Sequence, residues 1–126
     1  LNDVVHIDFT HPYTPALRES LIAAANHSGI PVVAEGVYGC TQGPRLETPA
    51  EIRRMERDGC DLVGMTGMPE ACLAREAGLD YACFAVVANW AAGKQAGEIT
   101  LEEIHAHLDV GMAKLFGVLQ HWFQAA

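Results

Sequence analysis

The chain has 126 residues, half of them hydrophobic, which is enough for one domain with a buried core or for one half of a larger one. Eight Lys and Arg against sixteen Asp and Glu give a net charge of −8 with no basic cluster, so nucleic acid is not an expected partner. A charged fraction of 19% excludes a disordered chain, and no apolar run reaches the ~20 residues of a membrane span, so no membrane partner is expected either. Cys40, Cys60, Cys72 and Cys83 form no CxxC pair and read as small buried residues in a reducing compartment, the cytoplasm. No leader opens the chain, and the absence of Met before Leu1 reads as a processing, cloning or domain boundary.

In chain order, residues 4–8 are a short β-favouring run. Thr14 is placed to cap a helix with Pro15 at its first position; Leu17, Leu21 and Ala25 recur at helical spacing as far as His27, and Gly29 ends it. Residues 30–38 read as a strand with Pro31 near its beginning, before the break at Gly39-Cys40-Thr41-Gln42-Gly43-Pro44-Arg45. Thr48-Pro49-Ala50-Glu51 is a capping box, so a second helix runs to about Asp58 before Gly59. Leu62-Val63-Gly64 is a short buried strand, and Pro69-Glu70 opens a third helix that continues to Ala77. Residues 81–88 are apolar nearly throughout, as in a central strand covered on both faces. Thr100 and Glu103 form a second capping box, and Leu101, Ile104, Leu108, Met112, Leu115, Leu119 and Trp122 line one face of a long last helix. Alternating strands and helices make the class α/β, with no internal repeat or linker.

The generic chemical motifs are missing: no GxxxxGK[ST], no GxGxxG after a strand, no HExxH and no GxSxG. His105 and His107, two apart on a helix, face different directions and do not make a metal site. What remains is polar residues at strand ends, where open α/β sheets bind ligands. They are Gly43-Pro44-Arg45-Leu46-Glu47-Thr48, Gly64-Met65-Thr66-Gly67-Met68-Pro69-Glu70, and Asn89-Trp90.

The first two of these phrases resemble signature blocks of the trimeric nucleoside phosphorylases, which include purine nucleoside and methylthioadenosine phosphorylases. The resemblance continues through Ala74-Arg75-Glu76-Ala77-Gly78 and Ala85-Val86-Val87-Ala88-Asn89. It covers most of this chain, but only as the C-terminal half of a family subunit. It implies the C-terminal portion of a nucleoside phosphorylase fold, with a mixed central sheet flanked by helices and a long C-terminal helix. It also implies a homotrimer that takes a purine nucleoside and inorganic phosphate, with no cofactor and no metal. Part of the phosphate site lies in the first half of such a subunit, so this portion alone is expected to be inactive.

By the same resemblance, Met65 packs against the sugar, the Thr66 hydroxyl binds phosphate, and Leu46 stands where many members place an aromatic ring on the purine. Without the family, Thr66 reads equally as a helix cap and Glu47 as a helix-start carboxylate. The chemistry of Glu47 and of Asn89, the catalytic candidate, bears on the base. A 6-oxopurine offers an N1–H donor and an O6 acceptor; an ionised carboxylate only accepts, while a carboxamide does both. Glu47 suits N1–H, and Asn89 suits O6 and the N7–H of the departing base. Methylthioadenosine enzymes place Asp where Asn89 stands and usually Ser where Glu47 stands. At the sugar's 5′ end, Leu101 and Ile104 replace a histidine partner for a hydroxyl with an apolar wall that suits a methylthio group, unless both belong only to the helix's core stripe. Together these imply phosphorolysis of a 6-oxopurine 5′-methylthionucleoside. The alternatives are methylthioadenosine phosphorolysis, general 6-oxopurine nucleoside phosphorolysis, and a non-catalytic nucleoside-binding or oligomerisation module. Gly93 and Gly97 bracket residues 90–98, an expected lid.

Overall fold

A computed structural model describes residues 4–125 of the chain. Its elements are α1 (Pro15–His27), β1 (Tyr38–Cys40), α2 (Pro49–Arg57), β2 (Leu62–Gly64), α3 (Glu70–Glu76) and α4 (Leu101–Ala125). The α/β class and the long last helix are as expected. The sheet is smaller, two parallel strands in the register Tyr38↔Leu62, Gly39↔Val63 and Cys40↔Gly64.

Parallel strands need a crossover, and α2 supplies it. The helix starts where the sequence places it. The Thr48 hydroxyl accepts from the Glu51 N–H at 3.3 Å, and the Glu51 carboxylate accepts from the Thr48 N–H at 2.7 Å. Ile52 and Met55 form its buried face. A side chain at Gly39 would begin 3.0 Å from the Cys60 sulfur and 3.3 Å from that of Met55, so glycine lets α2 approach the strand. The ladder extends at both ends, since the Asp61 carboxylate accepts from the Val37 N–H at 2.7 Å and the Thr41 N–H donates to the Gly64 carbonyl at 2.9 Å.

A second packing centre joins α1 to α4. Ala24, Ala25 and Val118 are buried together, with Ile30, Val32, Phe84 and Trp122 against them. The Trp122 indole N–H donates to the Ser20 hydroxyl at 2.9 Å, which satisfies the polar edge of a half-buried ring. The expected stripe of α4 holds from Ile104 to Trp122, where Ile104, Leu108, Met112, Leu115, Leu119 and Trp122 are half-buried, but its most buried residue stands beside it and its first residue lies outside. Val118 is fully buried, a Cβ at Gly111 would lie 2.2 Å from Val86, and Leu101, the first residue of the expected stripe, is 72% exposed.

Three expected strands carry no ladder, namely residues 4–8, 30–37 and 81–88. Residues 81–88 still alternate as a strand does. Phe84, Val86 and Ala88 are half-buried, while Cys83, Ala85 and Val87 are exposed, so one face is covered instead of the expected two. The reason is that a strand is completed by a partner strand, and among the described residues these segments have none beyond the bonds of Val37 with Asp61 and Leu62. Residues 30–36 and 82–87 border a cleft of about 340 Å³ lined by Leu21, Ile30, Val32, Phe84, Val86 and Leu115.

Thr14 stands at the cap position of α1 without capping it. Its hydroxyl accepts from the Tyr81 N–H at 3.1 Å and its N–H donates to the Tyr81 carbonyl at 2.8 Å, so it fastens the helix start to the extended segment. The cysteines also differ from expectation: Cys40 and Cys83 are exposed, Cys60 and Cys72 half-buried. Cys83 falls on the more exposed side of its segment, and Cys40 ends β1.

Candidate active site

Because β1 and β2 are parallel and in register, the chain leaves both at the same end, and the two loops that follow lie side by side. The first carries Thr41, Leu46 and Glu47; the second carries Met65 and Thr66. The loops touch: a Cβ at Gly43, whose φ is +66°, would lie 2.5 Å from the Met65 sulfur. Only glycine adopts that backbone at little cost and leaves room for the methionine. The Gly43–Pro44 and Met68–Pro69 peptide bonds, one in each loop, are cis.

A cavity of about 500 Å³ opens on the first loop, lined by Thr41, Gln42, Gly43, Arg45, Glu47, Glu51, Arg54 and Met55. Of the expected site residues, Glu47 alone lines it. Glu47 is half-buried, and one carboxylate oxygen accepts from the Thr41 hydroxyl at 2.7 Å. Arg45, the cation next in the loop, does not pair with Glu47. It holds Glu51 in a two-bond fork at 2.9 and 2.8 Å, and also donates to the Leu46 carbonyl at 3.1 Å. The Arg45 hydrogen bond, with those from Thr48, keeps the Glu51 carboxyl well below the usual carboxylate range. The helix-start carboxylate is therefore Glu51, which leaves Glu47 outside the cap.

Leu46 is 47% exposed, and Met65 is half-buried against Gly43. Thr66 is exposed, and its N–H donates to the Tyr38 hydroxyl at 3.4 Å. It does not cap α3, whose cap position is Pro69, so the helix-cap reading of Thr66 falls. The Tyr38 ring fills the space over two glycines, since a Cβ would lie 2.1 Å from its hydroxyl at Gly64 and 3.1 Å from the ring at Gly67.

Asn89 lies at the end of the extended segment, half-buried, with its side-chain amide donating to the Trp90 carbonyl at 2.8 Å. Among the described residues no hydrogen bond joins it to Glu47. Two contacts draw its neighbourhood toward the other pieces. His107 of α4 bonds through Nδ1 to the Ala88 carbonyl at 2.6 Å. The following loop returns to α2, where Gly93, at φ +77°, meets Pro49 and Lys94 pairs with Glu56 at 2.5 Å. Ile104 is half-buried in the first turns of α4, and Leu101 stands outside the packed face. The core-stripe reading of Leu101 falls with that exposure.

Two residues escaped the reading of the sequence, Thr41 and Arg45. The only signal for Thr41 was its position, a hydroxyl directly after a strand and six residues before a carboxylate. Among the described residues, no group of three or more His, Cys, Asp or Glu is placed to hold a metal ion. No described helix is long and apolar enough to cross a membrane.

Comparisons with known proteins agree with this architecture. A probable S-methyl-5′-thioinosine phosphorylase of Xanthomonas campestris pv. campestris is 61% identical over 122 residues, 94% of this chain and 49% of the relative. The 6-oxopurine nucleoside phosphorylase of Pyrococcus furiosus is 50% identical over 101 residues, 80% of this chain and 38% of the relative. The solved structure of methylthioadenosine phosphorylase from Schistosoma mansoni in complex with adenine superposes with a TM-score of 0.91 at 28% identity, over 97% of this chain and 49% of that one. The chain thus spans about half the length of the relatives it matches. The sequence profile of the phosphorylase superfamily matches residues 2–123, and the chain belongs to that superfamily.

Proposed function

We propose that this chain is the base- and sugar-binding part of a phosphorylase that cleaves S-methyl-5′-thioinosine with phosphate, giving hypoxanthine and 5-methylthioribose 1-phosphate. The observation that carries this reading is the Glu47 carboxylate at the cavity wall, held on one oxygen by Thr41 and free of the cap and of Arg45. A carboxylate so placed accepts the N1–H of a 6-oxopurine, where a 6-aminopurine offers only the lone pair of N1. Relatives named as S-methyl-5′-thioinosine phosphorylases, at 61% and 56% identity, support the same choice.

In the proposed reaction a phosphate oxygen attacks the anomeric carbon of the sugar as the bond to N9 of the purine breaks. The electron pair passes to N9 of the base, which gains at N7 the proton that the attacking phosphate gives up, carried through solvent, so that hypoxanthine leaves neutral. Asn89 donates one amide hydrogen to O6 and accepts from N7–H; the amide has two hydrogens, so its bond to the Trp90 carbonyl leaves one for the base. Stabilising charge that develops only as the base departs lowers the barrier more than uniform binding does. Met65 lies against the sugar, Leu46 against the purine face, and the Thr66 hydroxyl on the phosphate. Leu101 and Ile104 surround the methylthio group, and residues 90–98 close over the site. The enzyme works without a cofactor, as a homotrimer in the cytoplasm, with the remaining phosphate contacts on the half of the subunit that the relatives have in addition.

The test is kcat/KM for S-methyl-5′-thioinosine, S-methyl-5′-thioadenosine and inosine, measured on a subunit completed with the first half of the Xanthomonas relative. The methylthio substrate is expected to lead inosine by roughly two to three orders of magnitude, from a buried methylthio group and an unpartnered hydroxyl. Asn89→Asp should shift preference toward the 6-aminopurine by the ~1–3 kcal/mol of one lost donor. Equal turnover of inosine would replace this reading with a general 6-oxopurine phosphorylase.

A further inference from the structure

We infer that Thr41 is a positioning residue for base selection: its hydroxyl pins the Glu47 carboxylate, so that the second oxygen is presented to the purine in one orientation. The inference rests on the function proposed above and adds a residue to it.

The direction of the Thr41–Glu47 bond is set by chemistry. An ionised carboxylate has no proton to give, so the hydroxyl donates, and 2.7 Å is the ordinary length for an O–H donor on a charged acceptor. The hydroxyl has one proton and one competing acceptor, the Gly64 carbonyl, which at 3.5 Å is the poorer partner. Thr41 itself is held firmly, because its N–H donates to the same Gly64 carbonyl at 2.9 Å and so prolongs the β1–β2 ladder by one bond. The end of the strand pair thus fixes the threonine, and the threonine fixes the glutamate.

Of the two arginines that line the cavity, Arg45 is occupied elsewhere, and Arg54 makes no side-chain bond to Glu47. Arg45 is engaged by Glu51 and by the Leu46 carbonyl, and among the described residues Glu47 has no hydrogen bond besides that from Thr41. Its second oxygen is therefore an acceptor without a protein partner at the wall of a cavity. A glutamate with three free torsions could swing away from an unsuitable base at little cost. One held by a donor on a fixed backbone cannot, so a 6-aminopurine meets a lone pair it cannot satisfy, and the correct base meets a group already ordered. Thr41 contributes to selectivity without touching the base.

The experiment is a double-mutant cycle on the completed subunit described above, using Thr41→Val, Glu47→Gln and the pair, with Thr41→Ser as the conservative control. Thr41→Val is expected to lower kcat/KM for S-methyl-5′-thioinosine by about 10- to 100-fold, the loss of one hydrogen bond to a charged group. Thr41→Ser should recover activity to within about threefold, and in the Glu47→Gln background Thr41→Val should cost less than about threefold. The preference for S-methyl-5′-thioinosine over S-methyl-5′-thioadenosine should narrow in Thr41→Val. If valine does not fold at this strand end, Thr41→Ala in both backgrounds carries the same comparison. Equal losses from Thr41→Val with and without the Glu47 carboxylate would overturn the inference, since Thr41 would then act only through the ladder. Failure of the unsubstituted enzyme to cleave any 6-oxopurine nucleoside would overturn the functional reading and this role together, whereas a working enzyme with additive losses removes the role alone.

Discussion

The β1–β2 pair and the two extended segments at residues 30–37 and 81–88 are built from similar residues and reach different states. The pair is only three residues long on each side, yet it forms a ladder, carries α2 as its crossover, and places Glu47 beside a cavity. The extended segments are longer and more apolar, and one of them alternates buried and exposed residues over most of its length, but neither finds a partner strand among the described residues. Instead they are held by side chains, through Thr14 on Tyr81, Arg18 on the Ala34 carbonyl at 2.6 Å, and the cluster around Val118. Polar geometry therefore depends on the short ladder, and apolar burial is shared between α2 and α3 beside that ladder and the α1–α4 cluster, where no ladder exists. With the chain spanning about half the length of its relatives, Val33 at 91% and Val87 at 74% exposure mark faces left bare here.

The contrast is broken most forcefully at its apolar end. Val118→Asp puts an unpaired carboxylate into a fully buried position among Ala24, Ala25 and Trp122, and is expected to cost roughly 3–5 kcal/mol in urea unfolding. A loss below about 1 kcal/mol would mean that α1 and α4 are not joined through this cluster. At the other end, Gly64→Val forces a side chain into the Tyr38 ring and should destabilise by ~1–3 kcal/mol through overpacking. Because Tyr38 and Gly64 belong to the two paired strands, the same variant should alter tyrosine fluorescence, and an unchanged spectrum would place the ring elsewhere.

The smallest effect sharpens the comparison through pH. The Arg45 guanidinium, followed by Thr48, holds the Glu51 carboxyl below its ordinary range, whereas an unfolded glutamate titrates near ~4.3. A group with a lowered folded value adds stability that is complete above the unfolded value and is lost as pH falls through the folded one. The Tm difference between wild type and Glu51→Gln should therefore be constant from neutral pH down to about 5 and shrink below about 4.3. The pair is exposed, so salt should reduce the difference at every pH. A gap that stays constant into strong acid would show that the cap works without the charge.

The four helices of the described residues could all be read from the sequence, because capping and periodicity are local. Thr48 with Glu51, Pro15 at a first turn, and Gly29 and Gly59 just past helix ends act within a few positions of themselves. The loops that carry Glu47, Met65 and Thr66 were legible for another reason, their resemblance to family blocks, and the parallel pair then brought two of those blocks to one end. What tertiary structure alone decided was every feature that needs a distant partner. Residue type made 30–38 and 81–88 strands, but a ladder belongs to two segments, and of these residues Tyr38 alone entered one, in a strand that continues into the expected break at Gly39 and Cys40. Periodicity placed Ile104 to Trp122 on the covered face of α4 correctly and Leu101 wrongly, and packing against Val86 and Ile30 added Gly111, Gly117 and Val118 to that face. Thr14 looked like a cap until Tyr81 claimed its hydroxyl, and Thr41 looked like loop until Glu47 came within 2.7 Å. A side-chain hydrogen bond is directional and short, so its partner is set by where the backbone carries both ends, and no spacing in the sequence records that.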